Sequence, residues 1–110
     1  MAARRRAVDC DSALATPGAA APPSDEALAT MAKALGHPAR VAIVRLLAAQ
    51  AACVTGEVVA QVGLAQSTVS EHLRILREAG LVEASADGVR TRYCLNRQRL
   101  AEFQAGTAAL

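Results

Sequence analysis

The sequence has no tryptophan, one tyrosine and one phenylalanine in 110 residues. Because 53% of it is nevertheless hydrophobic, any core has to be assembled from Leu, Val, Ile and Ala, a composition that favours close-packed helices. Cysteine is also scarce: Cys10, Cys53 and Cys94 stand far apart, and their spacing forms no metal motif by itself. No apolar run reaches membrane-spanning length. The opening MAARRRAV is basic but lacks the apolar segment of a secretory signal, so the expected location is the reducing cytoplasm, with no membrane partner. A large excess of one charge is missing too. Twelve basic against ten acidic residues leave +2, a mild attraction for polyanions, so nucleic-acid binding has to be argued from where the charges sit. Nothing resembles an enzyme: no nucleophile, base and orienting acid occur at local spacing, and no glycine loop is built to cradle phosphate. No tightly held cofactor is expected. Glu57, Glu71 and Glu78 read as helix-surface charges.

What is present is enough for one small domain. A chain this short buries roughly 65% of the surface that it exposes when unfolded, so a second subunit adds useful burial and a dimer is expected. Residues 1–23 are rich in Ala, Arg and Pro and lack apolar periodicity, which predicts a flexible arm ahead of a domain spanning 24–110. A first helix starts at Ser24 as N-cap, with Asp25 and Glu26 in the first turn, carries Leu28, Met31, Ala32 and Leu35 inward, and stops at Gly36. Pro38 suits the first position of a second helix with Val41, Val44 and Leu47 on its buried face, beside Ile43 and Leu46. Thr55 is positioned to cap a third helix of about two turns, which Gly63 breaks. A fourth helix covers 65–79, with Val69, Leu73 and Leu76 inward and Gly80 at its end. The segment LVEASADGVRTRYCL reads as two strands joined by Asp87-Gly88, and Asn96 caps a last helix over 97–108, whose contact seam is Leu100, Phe103 and Leu110. The fold class is therefore mostly α with a small β-hairpin.

The stretch AQSTVSEHLRILREAG carries the chemistry. Two helices joined by a glycine-containing turn, the second beginning with short polar side chains, match a helix-turn-helix, and such a helix fits a major groove about 12 Å wide. Ser67, Thr68 and Ser70 can bond phosphates or base edges, and Gln66 can contact adenine with two hydrogen bonds. Arg74 and Arg77 are better placed for the phosphate backbone, and the helix N-terminus adds amide donors. The alternative is that helix starts simply favour Ser and Thr, while Arg74 and Arg77 pair with Glu71 and Glu78 on a solvated surface. Arg90 and Arg92 share one face of the hairpin, from which they can reach a minor groove or its phosphates or else face solvent. His72 falls three residues after Val69 and four before Leu76, toward the packed side, where a structural or phosphate-facing role is expected; His37 reads as a plain residue before Pro38.

Taken together, LGHPARVAIVRLL, LAQSTVSEHLRILREAGLV and DGVRTRY resemble the ArsR/SmtB family of winged helix-turn-helix repressors, over roughly residues 27–96. The resemblance implies a homodimer joined through its first and last helices that represses transcription from a palindromic operator and is commonly released by a ligand. It implies a recognition helix over 66–79, with Gln66, Ser67, Thr68, Ser70 and His72 in the DNA-facing pattern and Arg90 and Arg92 on the wing. Many members sense metalloids or soft metals through a CVC motif, where this chain reads CVTGE, with Thr55 in place of the second cysteine. The acidic and histidine ligands that others carry on the last helix are missing from NRQRLAEFQAGTAAL. By the same resemblance, Cys10 from the arm with Cys53 is the favoured thiolate pair, and Cys94 is a candidate third ligand. Soft ions such as As(III), Cd(II) or Hg(II) prefer such ligands. Two readings compete with metal sensing. A thiol pair can form a disulfide or persulfide link that alters DNA binding, or the scaffold can serve as a protein-interaction module without DNA.

Overall fold

The computed structural model describes residues 20–110. Most of the expected arm, Cys10 included, lies outside the described residues. The elements run α1 (Asp25–Ala34), α2 (Pro38–Ala48), β1 (Val54–Thr55), α3 (Gly56–Val59) continued by a 3₁₀ turn (Ala60–Val62), α4 (Gln66–Glu78), β2 (Val82–Asp87), β3 (Arg90–Leu95) and α5 (Arg97–Ala108).

Local chemistry accounts for most of the helix starts. Extended Ser24 accepts the Ala27 N–H through its hydroxyl at 3.1 Å, and Asp25 and Glu26 follow in the first turn. Asn96 does the same for α5, its side-chain oxygen accepting the Arg99 N–H at 3.0 Å. At α2, Pro38 opens the helix and His37 is its cap, with Nδ1 accepting the Ala39 N–H at 3.0 Å. Thr55 stands in the N-cap position of α3, but its side chain makes no capping bond. Its backbone belongs instead to β1, opposite Arg92. A two-residue strand has no alternation to read, so its partner in the sheet decides its conformation. The expected two-turn third helix is a single α-turn that tightens into the 3₁₀ turn and ends at Gly63, where φ is +92°.

The core joins all layers. Met31 of α1, Ile43 and Leu47 of α2, Val59 of α3, and Val69, Leu73 and Leu76 of α4 are buried together with Leu81, Val82 and Leu95 around the sheet. Most of this was anticipated. On α1, however, Ala34 and not Ala32 turns inward, because Ala34 stands three residues after Met31 and shares its face. On α5, Leu100 and Phe103 pack against the core, while Leu110 is 95% exposed. Arg97 then ties α5 to α2, its guanidinium donating to the carbonyls of Ala48, the last residue of that helix, and Gln50 just after it.

The sheet is antiparallel in the order β1-β3-β2. Asp87 pairs with Arg90 as the last rung of the hairpin, so the loop is Gly88-Val89 and not Asp87-Gly88. Gly88, at φ +66°, supplies the left-handed first loop residue that matches the twist of the strands. On the other edge, Val54 pairs with Tyr93, and Cys53, just before β1, comes beside Cys94 of β3. Their sulfurs are joined in a disulfide across a Cα separation of 4.6 Å. The thiolate pair favoured by resemblance was Cys10 with Cys53; in the structure, Cys53 is taken by Cys94.

Two outcomes follow for stability. Gly63 has nothing within 4 Å of where a Cβ would stand, so Gly63→Ala tests backbone conformation alone. It should cost about 1–2 kcal/mol in urea unfolding, and Gly63→Asn should cost less. The disulfide spans 41 residues, and reducing it should lower the unfolding free energy by about 2–4 kcal/mol. A Cys53→Ser variant should unfold identically with and without reductant.

Candidate nucleic-acid interface

The helix that carries the polar residues is two-sided. Val69, Leu73 and Leu76 line its buried face, while Ser67, Thr68 and Ser70 are exposed along its first turns. The side chain of Gln66 lies outside what the structure describes. Ala65 holds the N-cap position and offers no side-chain acceptor, so the first amide donors of α4 are left without a side-chain cap. Exposed hydroxyls and unspent amides at one helix end make a donor-rich surface free of bulky apolar groups. The left-handed turn at Gly63 sets the angle between this helix and the 3₁₀ turn before it.

The arginines of α4 and the wing divide into those already occupied and one, Arg77, that is not. Arg74 donates to Glu71 from two nitrogens, at 2.6 and 3.1 Å, and to Glu78 from a third at 2.7 Å. The Arg74 hydrogen bonds hold the Glu71 carboxyl below its ordinary range, and the paired carboxylates raise the arginine in turn. The solvated-pair alternative thus describes Arg74. It does not describe Arg77, which is exposed and makes no ion pair among the described residues. On the wing, Arg90 reaches back to Glu57 of α3 at 2.8 Å. Arg92 bonds Asp87 at 3.2 Å and the Cys53 carbonyl at 2.6 Å. Both remain partly open to solvent, with side-chain exposures of 61% and 39%. At the tip between the strands, Val89 is fully exposed.

His72 does not stand with the serines. It is 7% exposed, on the inner side of α4, and its Nδ1 lies 3.2 Å from Nη1 of Arg40. The ring of His37 lies 4.6 Å away, tilted by 52°. Burial, followed by the nearby His37 and Arg40, pushes His72 below the ordinary imidazole range, so it is held neutral. Arg40 also donates from Nε to the Ala34 carbonyl at 2.6 Å. It was not legible as a functional residue, since its partner lies 32 residues away and the two share no local pattern.

Cys53 and Cys94 sit at the base of the wing, with Arg92 bridging from the strand to the Cys53 carbonyl. Two sulfurs in bonding contact are the donor set of a chelating dithiol when reduced, which suits a soft ion. Among the described residues, no three His, Cys, Asp or Glu side chains converge to hold a metal ion. No helix among them is long and apolar enough to cross a membrane.

Comparison with known proteins fits this geometry. Residues 37–84 match the model of a family described as "Bacterial regulatory protein, arsR family". The regulator CmtR of Mycobacterium tuberculosis is 40% identical over 77 residues, 70% of this chain; the aligned part spans 64% of CmtR's length. The solution structure of a homodimeric winged helix-turn-helix DNA-binding domain from Mycobacterium bovis is 30% identical with a TM-score of 0.61, over 79% of this chain and 88% of that one. The transcriptional repressor BigR from Xylella fastidiosa is also 30% identical with a TM-score of 0.61, over 76% and 82% of the two chains. With a polar-faced recognition helix, a hairpin wing and relatives of this identity and coverage, the chain belongs to the arsR family of winged helix-turn-helix regulatory proteins.

Proposed function

We propose that this chain is a homodimeric, sequence-specific repressor that binds a palindromic operator and leaves it when its thiols react. The observation that carries the reading is the exposed row Ser67, Thr68 and Ser70 on a helix whose opposite face is fully committed to the core. Gln66 joins them by position in sequence. Arg77 is the helix cation available for phosphate, while Arg74 reaches DNA only by giving up Glu71 and Glu78. On the wing, Arg90 and Arg92 supply the second contact. Dimerisation is supported by the M. bovis domain, described as homodimeric, and repression by BigR, described as a repressor. Two recognition helices in one dimer reach half-sites roughly 34 Å apart, which calls for an inverted repeat.

Two kinds of inducer act on thiols. As(III) or Cd(II) binding at Cys53, with Cys94 or Cys10 completing the ligands, requires free thiolates. The bond between Cys53 and Cys94 favours the second kind, an oxidative signal. A peroxide, for example, takes two electrons and two protons from the thiol pair and leaves as water, with the disulfide as the other product. Soft-ion sensing then operates only in the reduced chain.

Fluorescence anisotropy on duplex DNA from the chain's own upstream region tests both levels. Ser70→Ala should lower affinity for the matched duplex more than for a scrambled one. Arg77→Ala should weaken both alike and reduce the salt slope by about 1. Equal losses on the two duplexes for both variants would remove these assignments, and affinity that barely changes with salt would favour a protein-interaction module. Release by peroxide, abolished in Cys53→Ser, identifies oxidation as the signal; release of the reduced protein by As(III) or Cd(II), lost in the same variant, identifies a soft ion.

A further inference from the structure

Three helices meet where α1 ends, α2 begins and the middle of α4 passes beneath them, and the groups at that junction are two histidines and one arginine. Arg40 Nε donates to the Ala34 carbonyl of α1, and Arg40 Nη1 stands 3.2 Å from His72 Nδ1 of α4. A guanidinium has only donors, so His72 Nδ1 accepts, and its ring proton is on Nε2. His37 is constrained in the same way, because its Nδ1 accepts the Ala39 N–H at the start of α2. Both imidazoles, 4.6 Å apart, therefore spend their acceptor nitrogen on a structural bond.

We propose that Arg40 and His72 position the recognition helix and that this contact is a proton switch: His72 accepts a proton only by releasing Arg40. A proton on Nδ1 removes the acceptor and sets an imidazolium against Arg40 and beside His37. The ionisable groups bearing on His72 are His37 and Arg40 from α2 and Glu71 from its own helix. Only Glu71 favours the charged ring, and its carboxylate is already engaged by two nitrogens of Arg74. Burial opposes the charge as well. The neutral ring is therefore the form that holds α4 in register with α1 and α2, and acidification loosens that register without touching the serines that face outward.

The sign of the stability effect follows from linkage. His72 titrates lower in the folded chain than in the unfolded one, so its contribution is complete above the unfolded value of about 6.5 and is lost as pH falls through the folded value. This is a positioning role, and a proton-resolved readout separates it from simple packing.

The first experiment is a pH titration of the full chain by long-range ¹H–¹⁵N correlation of the imidazoles, which reports tautomer and protonation directly. His72 should show the Nε2–H tautomer at neutral pH and titrate below the usual histidine range, and Arg40→Ala should raise its midpoint. An Nδ1–H tautomer, an unshifted midpoint in the wild type, or a midpoint indifferent to Arg40→Ala would overturn the proposal. Should Arg40→Ala not fold, the wild-type tautomer and midpoint decide. His72→Gln keeps an acceptor for Arg40 but cannot titrate, and should flatten the fall in melting temperature between about pH 7.5 and pH 5.5. Persistence of the full wild-type fall in that variant would also overturn it. The DNA arm rests on the repressor reading: wild-type affinity for the upstream duplex should drop severalfold more over this range than that of His72→Gln. Absence of specific duplex binding at any pH would sink the repressor reading and leave the imidazole titration to judge the switch.

Discussion

The outward polar face of α4 depends on the apolar stripe of the same helix finding a partner. Val69, Leu73 and Leu76 are almost completely buried against residues drawn from α1, α2, α3 and the sheet. With no tryptophan and a single phenylalanine, that burial is made from aliphatic side chains, each contributing about 1.5–3 kcal/mol. Such a core is built from many small contributions and no single anchor. The same rotation that hides the stripe exposes Ser67, Thr68 and Ser70, so recognition surface and core are two consequences of one helical period.

Several of the described arginines are committed to partners within the fold. Arg97 braces the end of α2, Arg40 binds the end of α1 to α4, Arg92 spans β3 and the Cys53 carbonyl, and Arg74 is held by two glutamates. Among the described residues near the exposed serines, attraction to a polyanion then draws on Arg77, on the wing and on residues that can exchange an internal partner for phosphate. Exposed pairs such as Arg90 with Glu57 exchange readily, since surface ion pairs contribute little to stability.

The elements were legible where local chemistry decides them. Ser24, Pro38, Gly63, Asn96 and the apolar spacing of α4 each specify a boundary or a face within a few residues of sequence. What stayed hidden is set by partners far along the chain. β1 exists because β3 is beside it, and Thr55 follows the sheet in preference to a cap. The hairpin loop shifts by one residue because Asp87 pairs with Arg90. Likewise, strand alternation puts Cys94 on the face of Arg90 and Arg92, but only the pairing of β1 with β3 brings Cys53 beside it. Arg40 and His72 are the extreme case, two residues with no shared motif, joined by the crossing of two helices.

The Cys53–Cys94 bond and the Arg40–His72 contact lie at different parts of the proposed DNA-facing surface. The Cys53–Cys94 bond lies across β1 and β3, so it governs how firmly the wing is held to the segment leading into α3. That pairing also has its own backbone rungs at Val54 and Thr55, so oxidation stiffens an arrangement that the sheet already prefers. The Arg40–His72 contact has no backbone rungs beside it, and its backing is the packing of Ile43 and Leu47 with Leu73 in the shared core. It joins α2 to α4 through side chains alone, and its acceptor vanishes on protonation. A two-rung strand pairing without its covalent bond is weak, and a helix junction without its acceptor carries a buried charge. The bond between two sulfurs thus reinforces a wing that the sheet already forms, and the proposed proton switch acts on a recognition helix whose main anchor remains its apolar stripe.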